Sequence, residues 1–215
     1  MKTYHVFLVA CLILFTLSCQ SKLSDAEIYG KMSTEKLVQD FLAHPNWEII
    51  FAFNSPRDGL SVFIERSCPE LGKELFRRDD FAAVLLDEYS KLDPLAVDQD
   101  WTDIQKGQFK FEIYKIELLF TEGVIINQLS NVELRKLKET VISNYHMKKI
   151  LQKIYNDNDL SSSAAVCMKI IEKVNSDLLI DIPSELYTLR YYLFIDIRYV
   201  YLLDVIIELL ESIEV

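Results

Sequence analysis

Apolar side chains recur every three or four residues along most of the chain, and this spacing places them on a single face of an α-helix. The clearest run lies between residues 134 and 155, at Leu134, Leu137, Val141, Tyr145, Leu151 and Tyr155, with Lys148 at the one charged position of the same spacing. The chain has five glycines and five prolines among 215 residues, which is few for an all-β protein with frequent tight turns. The sequence therefore predicts an all-α fold.

Two helix starts carry the sequence signature of a capping box. In this motif a Ser or Thr precedes the helix and a Glu or Gln follows three residues later, and each side chain accepts a hydrogen bond from the other residue's backbone. Thr102 with Gln105 and Ser130 with Glu133 have this spacing. We therefore expect long helices directly after Thr102 and after Ser130.

Other helix boundaries are predicted from single capping residues and from breaks in the apolar period. Asp79 and Asp80 are expected to supply a side-chain oxygen that caps a helix over residues 81–92. Residues 156–161 are expected to interrupt the helical pattern, so that the next helix starts at Ser162 or Ser163. The apolar segment 47–53 fits a strand or a helix by its length, and we interpret it as helical because no second strand is available to pair with it.

The end of the chain is predicted to be one long helix, because a helical stripe runs from Leu186 to Leu210. Its charged residues are too frequent for a membrane span. Two earlier segments, 75–92 and 154–174, share an order of apolar pair, Asp-rich cap, small residues and apolar helix, and in this they resemble HEAT-like hairpins. We expect about eight helices in an irregular helical bundle or a short HEAT-like array.

The first eighteen residues have the layout of a bacterial export signal. Lys2 is followed by an apolar run from Val6 to Leu17 and then by Ser18 and Cys19. The run is twelve residues long, whereas a membrane-spanning helix needs about twenty. We therefore predict that residues 1–18 are a signal peptide that is removed.

The end of this signal, Thr16-Leu17-Ser18-Cys19, resembles the lipobox of bacterial lipoproteins, in a loose form typical of Bacteroidota. The resemblance implies that Cys19 is acylated, becomes the N-terminus and anchors the protein to the membrane. Gln20 after the cysteine implies an outer-membrane location in the cell envelope. Ordinary secretory cleavage after Ser18 is the alternative, because Thr16 and Ser18 also satisfy the small-x-small rule.

The sequence after the signal divides into a tether and a body. Residues 19–32 lack a clear apolar period, and we interpret them as a flexible tether. Residues 33–215 are predicted to form a single helical domain.

The charge of the chain excludes one class of partner. Lys and Arg number 23 against 33 Asp and Glu, a net charge of −10. Removal of residues 1–18 takes away only Lys2, which leaves 22 against 33 and a net charge of −11. A chain this acidic is repelled by phosphate backbones, so we expect no nucleic-acid binding.

Two cysteines, Cys68 and Cys167, remain in the body of the chain. They are a candidate disulfide if the body lies in an oxidising compartment. Both are found in helix-like contexts, where Cys behaves as a small apolar residue. We therefore favour two separate buried thiols.

Catalytic and metal-binding patterns are weak throughout. His44 and His146 are far apart and no pair of cysteines is close, so no zinc site is expected. Asp98 and Asp157 begin acidic runs, but neither run has the Gly at position six and the Glu at position twelve of an EF-hand loop. We predict no metal and no cofactor, identify no catalytic residue, and lean against an enzyme.

Recognition of another protein is the function that the sequence favours. Five residues of the C-terminal segment lie on one side of a helix at steps of three and four, and Tyr and Arg are enriched in interfaces. This candidate partner face comprises Tyr187, Tyr191, Phe194, Arg198 and Tyr201. The same rings also fit a core position with their hydroxyls at the surface.

The predicted function is thus a lipid-anchored cell-envelope protein that binds a protein or peptide and catalyses no reaction. One alternative is an envelope hydrolase or lyase that gathers carboxylates from separate helices. Another is an immunity-type inhibitor that neutralises a basic toxin.

Overall fold

The computed structural model describes residues 24–97, 100–151, 153–180, 182–189 and 197–215, and for 197–199 the backbone only. Every regular element in these ranges is an α-helix or a 3₁₀ helix, which confirms the predicted all-α class. The α-helices are α1 Asp25–Tyr29, α2 Thr34–Leu42, α3 Pro56–Ser67, α4 Pro69–Phe76, α5 Phe81–Ser90, α6 Asp103–Phe120, α7 Gly123–Ile126, α8 Asn131–Ile150, α9 Asp157–Val174 and α10 Leu203–Ser212. The 3₁₀ helices are Pro45–Ala52, Pro94–Ala96, Ser176–Leu179, Ser184–Thr188 and Ile197–Leu202.

Both predicted capping boxes are confirmed. The Gln105 N–H donates to the Thr102 hydroxyl, and the Gln105 side chain accepts a hydrogen bond from the Thr102 N–H at 2.9 Å. Ser130 and Glu133 repeat this arrangement, with 2.8 Å from the Ser130 nitrogen to the Glu133 carboxylate. These bonds satisfy N–H groups that have no partner within the helix, which is why α6 and α8 begin at the predicted positions.

Helix α9 begins at Asp157, so its predicted start at Ser162 or Ser163 is wrong. The Asn156 side chain accepts hydrogen bonds from the backbone of the first turn, and the Asp159 carboxylate accepts one from the Asn156 N–H at 2.7 Å. Asn and Asp thus form a capping box of their own. Residues 156–161 consequently start the helix instead of interrupting it.

Asp80 precedes α5 as predicted, but its side chain does not cap the helix. Its carboxylate instead accepts a hydrogen bond from the Thr34 hydroxyl at 2.7 Å. Thr34 is the first residue of α2, so this contact joins the starts of two helices. A tertiary partner has replaced the local role that the sequence suggested.

Residues 24–32 belong to the folded body, so for them the prediction of a flexible tether is wrong. Ser24 and Glu27 form a capping box that starts α1, and α1 packs against α4. The Arg78 guanidinium donates to backbone carbonyls between Tyr29 and Met32 at 3.2–3.4 Å. These bonds hold a segment whose sequence has no apolar period. Residues 19–23 lie outside the described ranges.

The C-terminal α-helix is shorter than the apolar stripe from Leu186 to Leu210 predicts. The described parts of that stripe include 3₁₀ helices at Ser184–Thr188 and Ile197–Leu202, and the α-helix that follows is Leu203–Ser212. This helix, α10, packs against α9 and α8. Its buried residues are Leu203, Ile206, Ile207 and Leu210.

Helix α9 is the central element of the structure. Every residue from 160 to 168 is buried, because α6, α8 and α10 pack around it. In a repeat array each unit contacts its immediate neighbours, whereas α9 is enclosed by helices from several parts of the chain. The described residues therefore form an irregular helical bundle, with one continuous apolar core from Leu37 to Leu210.

Candidate functional site

A cluster of polar side chains lies inside the bundle, where α6, α8 and α9 meet. Glu117 of α6 and Lys148 of α8 are fully buried. The Lys148 Nζ lies 2.9 and 3.0 Å from the two carboxylate oxygens of Glu117. We call these two residues together with Tyr89, Ser162 and Ser163 the Glu117 cluster.

Neutral hydroxyl groups complete the hydrogen bonding of the Glu117 cluster. Tyr89 and Ser163 each donate to Glu117 Oε1 at 2.7 Å, and Ser162 donates to Oε2. Lys148 donates further bonds to the Ser163 hydroxyl at 2.9 Å and to the Asp159 carbonyl at 3.0 Å. Both charges therefore have several partners, which is the condition for burying an ion pair at tolerable cost.

The Glu117 cluster contains a serine beside a lysine, but its geometry is not that of a nucleophile and its base. A lysine acts as a base only when its nitrogen lone pair is available, and Lys148 donates to Ser163 and Glu117 instead. Ser163 in turn donates to Glu117. All five side chains are buried, so a substrate has no contact with them.

The charge of this cluster acts on the neighbouring weak acids. Burial, reinforced by the negative charge of Glu117, raises the pKa of Tyr89 well above its ordinary value. Burial and the same carboxylate raise the pKa of the Cys167 thiol. Both groups therefore stay protonated, and the cluster is a structural element of the core.

The C-terminal candidate partner face is described only in part. Tyr191, Phe194 and the side chain of Arg198 lie outside the described residues. Tyr187 is half-buried, and its hydroxyl donates to the Leu179 carbonyl at 3.2 Å. Tyr201 is exposed.

The two body cysteines are free, buried thiols in the structure. Cys68 lies between α3 and α4 and its thiol is 3.9 Å from the Phe63 carbonyl, while Cys167 lies on the central helix α9. Burial raises the pKa of Cys68 to about 11.

Neither a metal cluster nor a membrane-spanning helix is found in the part of the chain that the structure describes. The two histidines of the body have other contacts there. His44 Nδ1 accepts a hydrogen bond from the Asn46 N–H at the start of a 3₁₀ helix, and His146 Nε2 lies 3.0 Å from the Glu211 carboxylate.

Three aromatic rings lie together on the surface, and we call them the aromatic patch: Phe51, Phe111 and Tyr114. Their ring centroids are 5.5 to 6.4 Å apart, and their planes are inclined to one another by 20 to 37°. Phe51 is 63% exposed, and the other two rings are half-buried. The patch is therefore a set of nearly parallel rings with Phe51 as its most exposed member.

The 3₁₀ helix Pro45–Ala52 explains why Phe51 points outward. Residues three apart are eclipsed in a 3₁₀ helix, so Trp47 and Ile50 form one column and Glu48 and Phe51 form another. The first column is buried and the second is exposed. Trp47 and Ile50 therefore pack in the core, whereas Glu48 and Phe51 are exposed to solvent.

The other two rings come from α6, whose first half packs against the bundle without being fully buried. No residue from 103 to 112 is buried, whereas every residue from 115 to 120 is buried. Phe111 and Tyr114 lie on one side of α6 at a three-residue step, at the point where the helix enters the core. Ile104 near the start of α6 is also exposed.

Charged residues surround the aromatic patch. Buried Lys115 lies 5.4 Å from the centroid of the Phe111 ring and donates to the Leu42 carbonyl and to Glu112 Oε1 at 2.6 Å. The Glu112 side chain is 46% exposed, and Glu48 is exposed in the same column as Phe51. The cation of this site is directed inward, and two carboxylates remain at its edge.

The sequence pattern does not predict the aromatic patch. Residues 47–53 fit a helix, but an apolar run does not by itself show which side is exposed. A three-residue period separates Trp47 and Ile50 from Glu48 and Phe51, and Pro45 at the start of the helix is compatible with it. The position of α6 beside Phe51 depends on tertiary packing and leaves no local signal.

No protein-family model, no curated protein and no solved structure matches this chain.

Proposed function

We propose that this is a lipid-anchored cell-envelope protein whose helical body binds another protein through the aromatic patch and catalyses no reaction. The exposed position of Phe51 in contact with both Phe111 and Tyr114 is the observation that carries this proposal.

The leader supports the envelope location. The apolar run from Val6 to Leu17 and the lipobox-like end at Cys19 together resemble a lipoprotein signal. One acyl chain gives only weak membrane binding, so several chains on one cysteine are needed for a lasting anchor. Gln20 favours the outer membrane.

The aromatic patch supports the binding role. Aromatic residues are enriched in interfaces because a large rigid ring buries much area and loses little conformational freedom. A contiguous exposed apolar surface on a folded protein marks an interaction site more often than a scattered residue does. The patch has this contiguity, since its three rings are mutual neighbours.

The Glu117 cluster favours binding over the hydrolase or lyase alternative. It is the place where a carboxylate, a lysine and two serines meet, and all of them are buried and hydrogen-bonded to one another. An enzyme needs such groups to face its substrate. An immunity-type inhibitor is one kind of binding protein and is compatible with the patch.

The test is capture from detergent-solubilised native membranes with the full tagged chain, followed by mass spectrometry. We expect a partner that is enriched with the unchanged protein and lost with Phe51→Ala. Ile150→Ala is the matched control, because Ile150 is an apolar side chain on α8 that is 77% exposed. The mass of the captured chain should show a diacylglyceryl group on Cys19 and no residues before it.

The candidate partner face in the C-terminal segment, which includes Tyr201, is tested in the same experiment. Tyr201→Ala should retain the partner if the aromatic patch is the binding surface. Loss of the partner with Tyr201→Ala and retention with Phe51→Ala would reject the patch in favour of the C-terminal face. An unmodified Cys19 would reject the lipid anchor.

A further inference from the structure

We infer that the aromatic patch binds a basic segment of its partner, with a Lys or Arg side chain over the rings and its charge beside Glu48 and Glu112. This inference rests on the proposed function and adds the chemistry of the bound segment.

The carboxylates at the edge of the patch are the first reason. Glu48 precedes Phe51 by three residues in a 3₁₀ helix, so the two side chains leave the helix on the same side. Glu112 is the neighbour of Phe111 on α6, and its side chain is 46% exposed. A partner group that sits on the rings therefore lies between two acidic side chains from different elements.

The arrangement of Lys115 is the second reason. Lys115 is buried, and its ammonium group donates inward to the Leu42 carbonyl and sideways to Glu112. The site thus contains two carboxylates and one cation, and the cation is covered by the protein. The exposed charge at the patch is negative.

The rings themselves favour a cation. The face of an aromatic ring carries a partial negative charge, and an ammonium or guanidinium group within about 6 Å of the ring centroid is attracted to it. Lys115 shows this contact on the inner side, at 5.4 Å from the Phe111 centroid and 5.9 Å from the Trp47 ring. Exposed Phe51 offers the same kind of surface to a cation from outside.

The charge of the whole chain acts in the same direction. The net charge is −10 for the complete sequence, and a field of this sign accelerates the approach of basic partners and repels acidic ones. A neutral polysaccharide or a proline-rich segment could stack on the rings, but it would gain nothing from this field. Charge complementarity therefore selects the basic segment.

The experiment is a fluorescence titration of the full chain with three labelled peptides, deca-lysine, deca-glutamate and deca-proline, and with the neutral sugar chitohexaose. We expect deca-lysine to bind and deca-glutamate not to bind. Phe51→Ala should weaken deca-lysine binding about fivefold, as expected for loss of a cation–π contact. Glu48→Gln and Glu112→Gln should each weaken it about twofold and reduce its salt dependence.

Two control variants separate a local site from general attraction to an acidic protein. Ile150→Ala removes an exposed apolar side chain elsewhere, and Glu208→Gln removes an exposed carboxylate on α10. Ile150→Ala should weaken deca-lysine binding less than Phe51→Ala does, and Glu208→Gln should weaken it less than Glu48→Gln does. Equal effects of Glu48→Gln and Glu208→Gln, with no effect of Phe51→Ala, would overturn the inference.

The remaining outcomes distinguish this inference from the proposed function. Deca-proline or deca-glutamate bound through Phe51 would overturn the basic segment and leave a peptide-binding patch. Chitohexaose bound through Phe51 would overturn both. If no probe depends on Phe51, the basic segment is rejected, and the capture comparison of Phe51→Ala decides whether the patch binds a protein of another kind.

Discussion

At the scale of single residues, the ion pair between Glu117 and Lys148 explains how these two opposite charges are buried inside the bundle. Removing either ion from water carries a large desolvation cost, and mutual attraction offsets it only when other hydrogen bonds satisfy the remaining atoms. Tyr89, Ser162 and Ser163 provide these bonds from α5 and α9. The pair therefore depends on the correct packing of four helices, and it favours this arrangement over others.

Lys148→Met should lower the free energy of unfolding by about 3–5 kcal/mol, because it leaves the Glu117 carboxylate buried without its cation. The measurement is urea denaturation followed by circular dichroism. Lys36→Met is the matched control, since Lys36 pairs with Asp40 at 2.6 Å in an exposed i,i+4 contact and should change stability by less than about 1 kcal/mol. Similar losses of stability in Lys148→Met and Lys36→Met would show that the buried ion pair contributes no more to stability than an exposed one.

At the scale of elements, Gly59 allows α3 to pack closely against the 3₁₀ helix Pro45–Ala52, which carries Phe51. A Cβ atom at Gly59 would lie 2.6 Å from both the Cα and the carbonyl oxygen of Ile50. These are backbone atoms and cannot rotate away. The close approach of α3 to residues 45–52 therefore requires glycine, and it fixes the column in which Phe51 is exposed.

Gly59→Ala should lower the free energy of unfolding by about 1–3 kcal/mol, the usual range for overpacking a core. Gly107→Ala is the matched control, because nothing lies within 4 Å of the position of its Cβ and it is exposed within α6. There the better helix propensity of Ala should raise stability by about 0.5–1 kcal/mol. Thermal and urea unfolding of both variants would give the sign of each stability change. A loss of stability in Gly107→Ala would contradict the helical assignment of α6.

The elements also show how far local sequence signals determine this fold. Thr102 and Ser130 start their helices as predicted, because capping depends on neighbouring residues alone. The same physics placed the start of α9 at Asn156, where an Asp-rich sequence had suggested a break. The contact of Asp80 with Thr34 and that of Arg78 with the Met32 carbonyl each join residues 46 positions apart, and such distances leave no local pattern.

The candidate site was less accessible to prediction than the fold. An apolar segment such as residues 47–53 reveals its exposed column only when the helix type is known, because a period of three and a period of 3.6 assign Phe51 to different sides. The meeting of Phe51 with Phe111 joins residues sixty positions apart. Tyr187 and Tyr201, selected by a helical period, lie in 3₁₀ helices.

At the scale of the whole molecule, the apolar core is continuous from the N-terminal helices to α10. Cys68 lies in the part built from α1 to α5, and Cys167 lies on α9 in the other part. Tyr89 connects the two, since it belongs to α5 and donates to Glu117 of α6. A continuous core with such cross-connections is expected to unfold as one cooperative unit.

The reactivity of Cys68 and Cys167 during unfolding tests whether the whole core unfolds as one cooperative unit. At about pH 8 an exposed cysteine is partly thiolate and reacts with iodoacetamide. Burial raises the pKa of Cys68 to about 11, and burial also raises the pKa of Cys167 above its ordinary value. Both thiols should therefore stay unmodified in the folded protein, and both should become alkylated at the same urea concentration. Peptide mass mapping measures the extent of alkylation at each cysteine. Complete labelling in concentrated urea is the control for intrinsic reactivity. Labelling of Cys68 at a lower urea concentration than Cys167 would instead show that α1 to α5 unfold separately. A linked Cys68–Cys167 peptide would contradict the two free thiols of this structure.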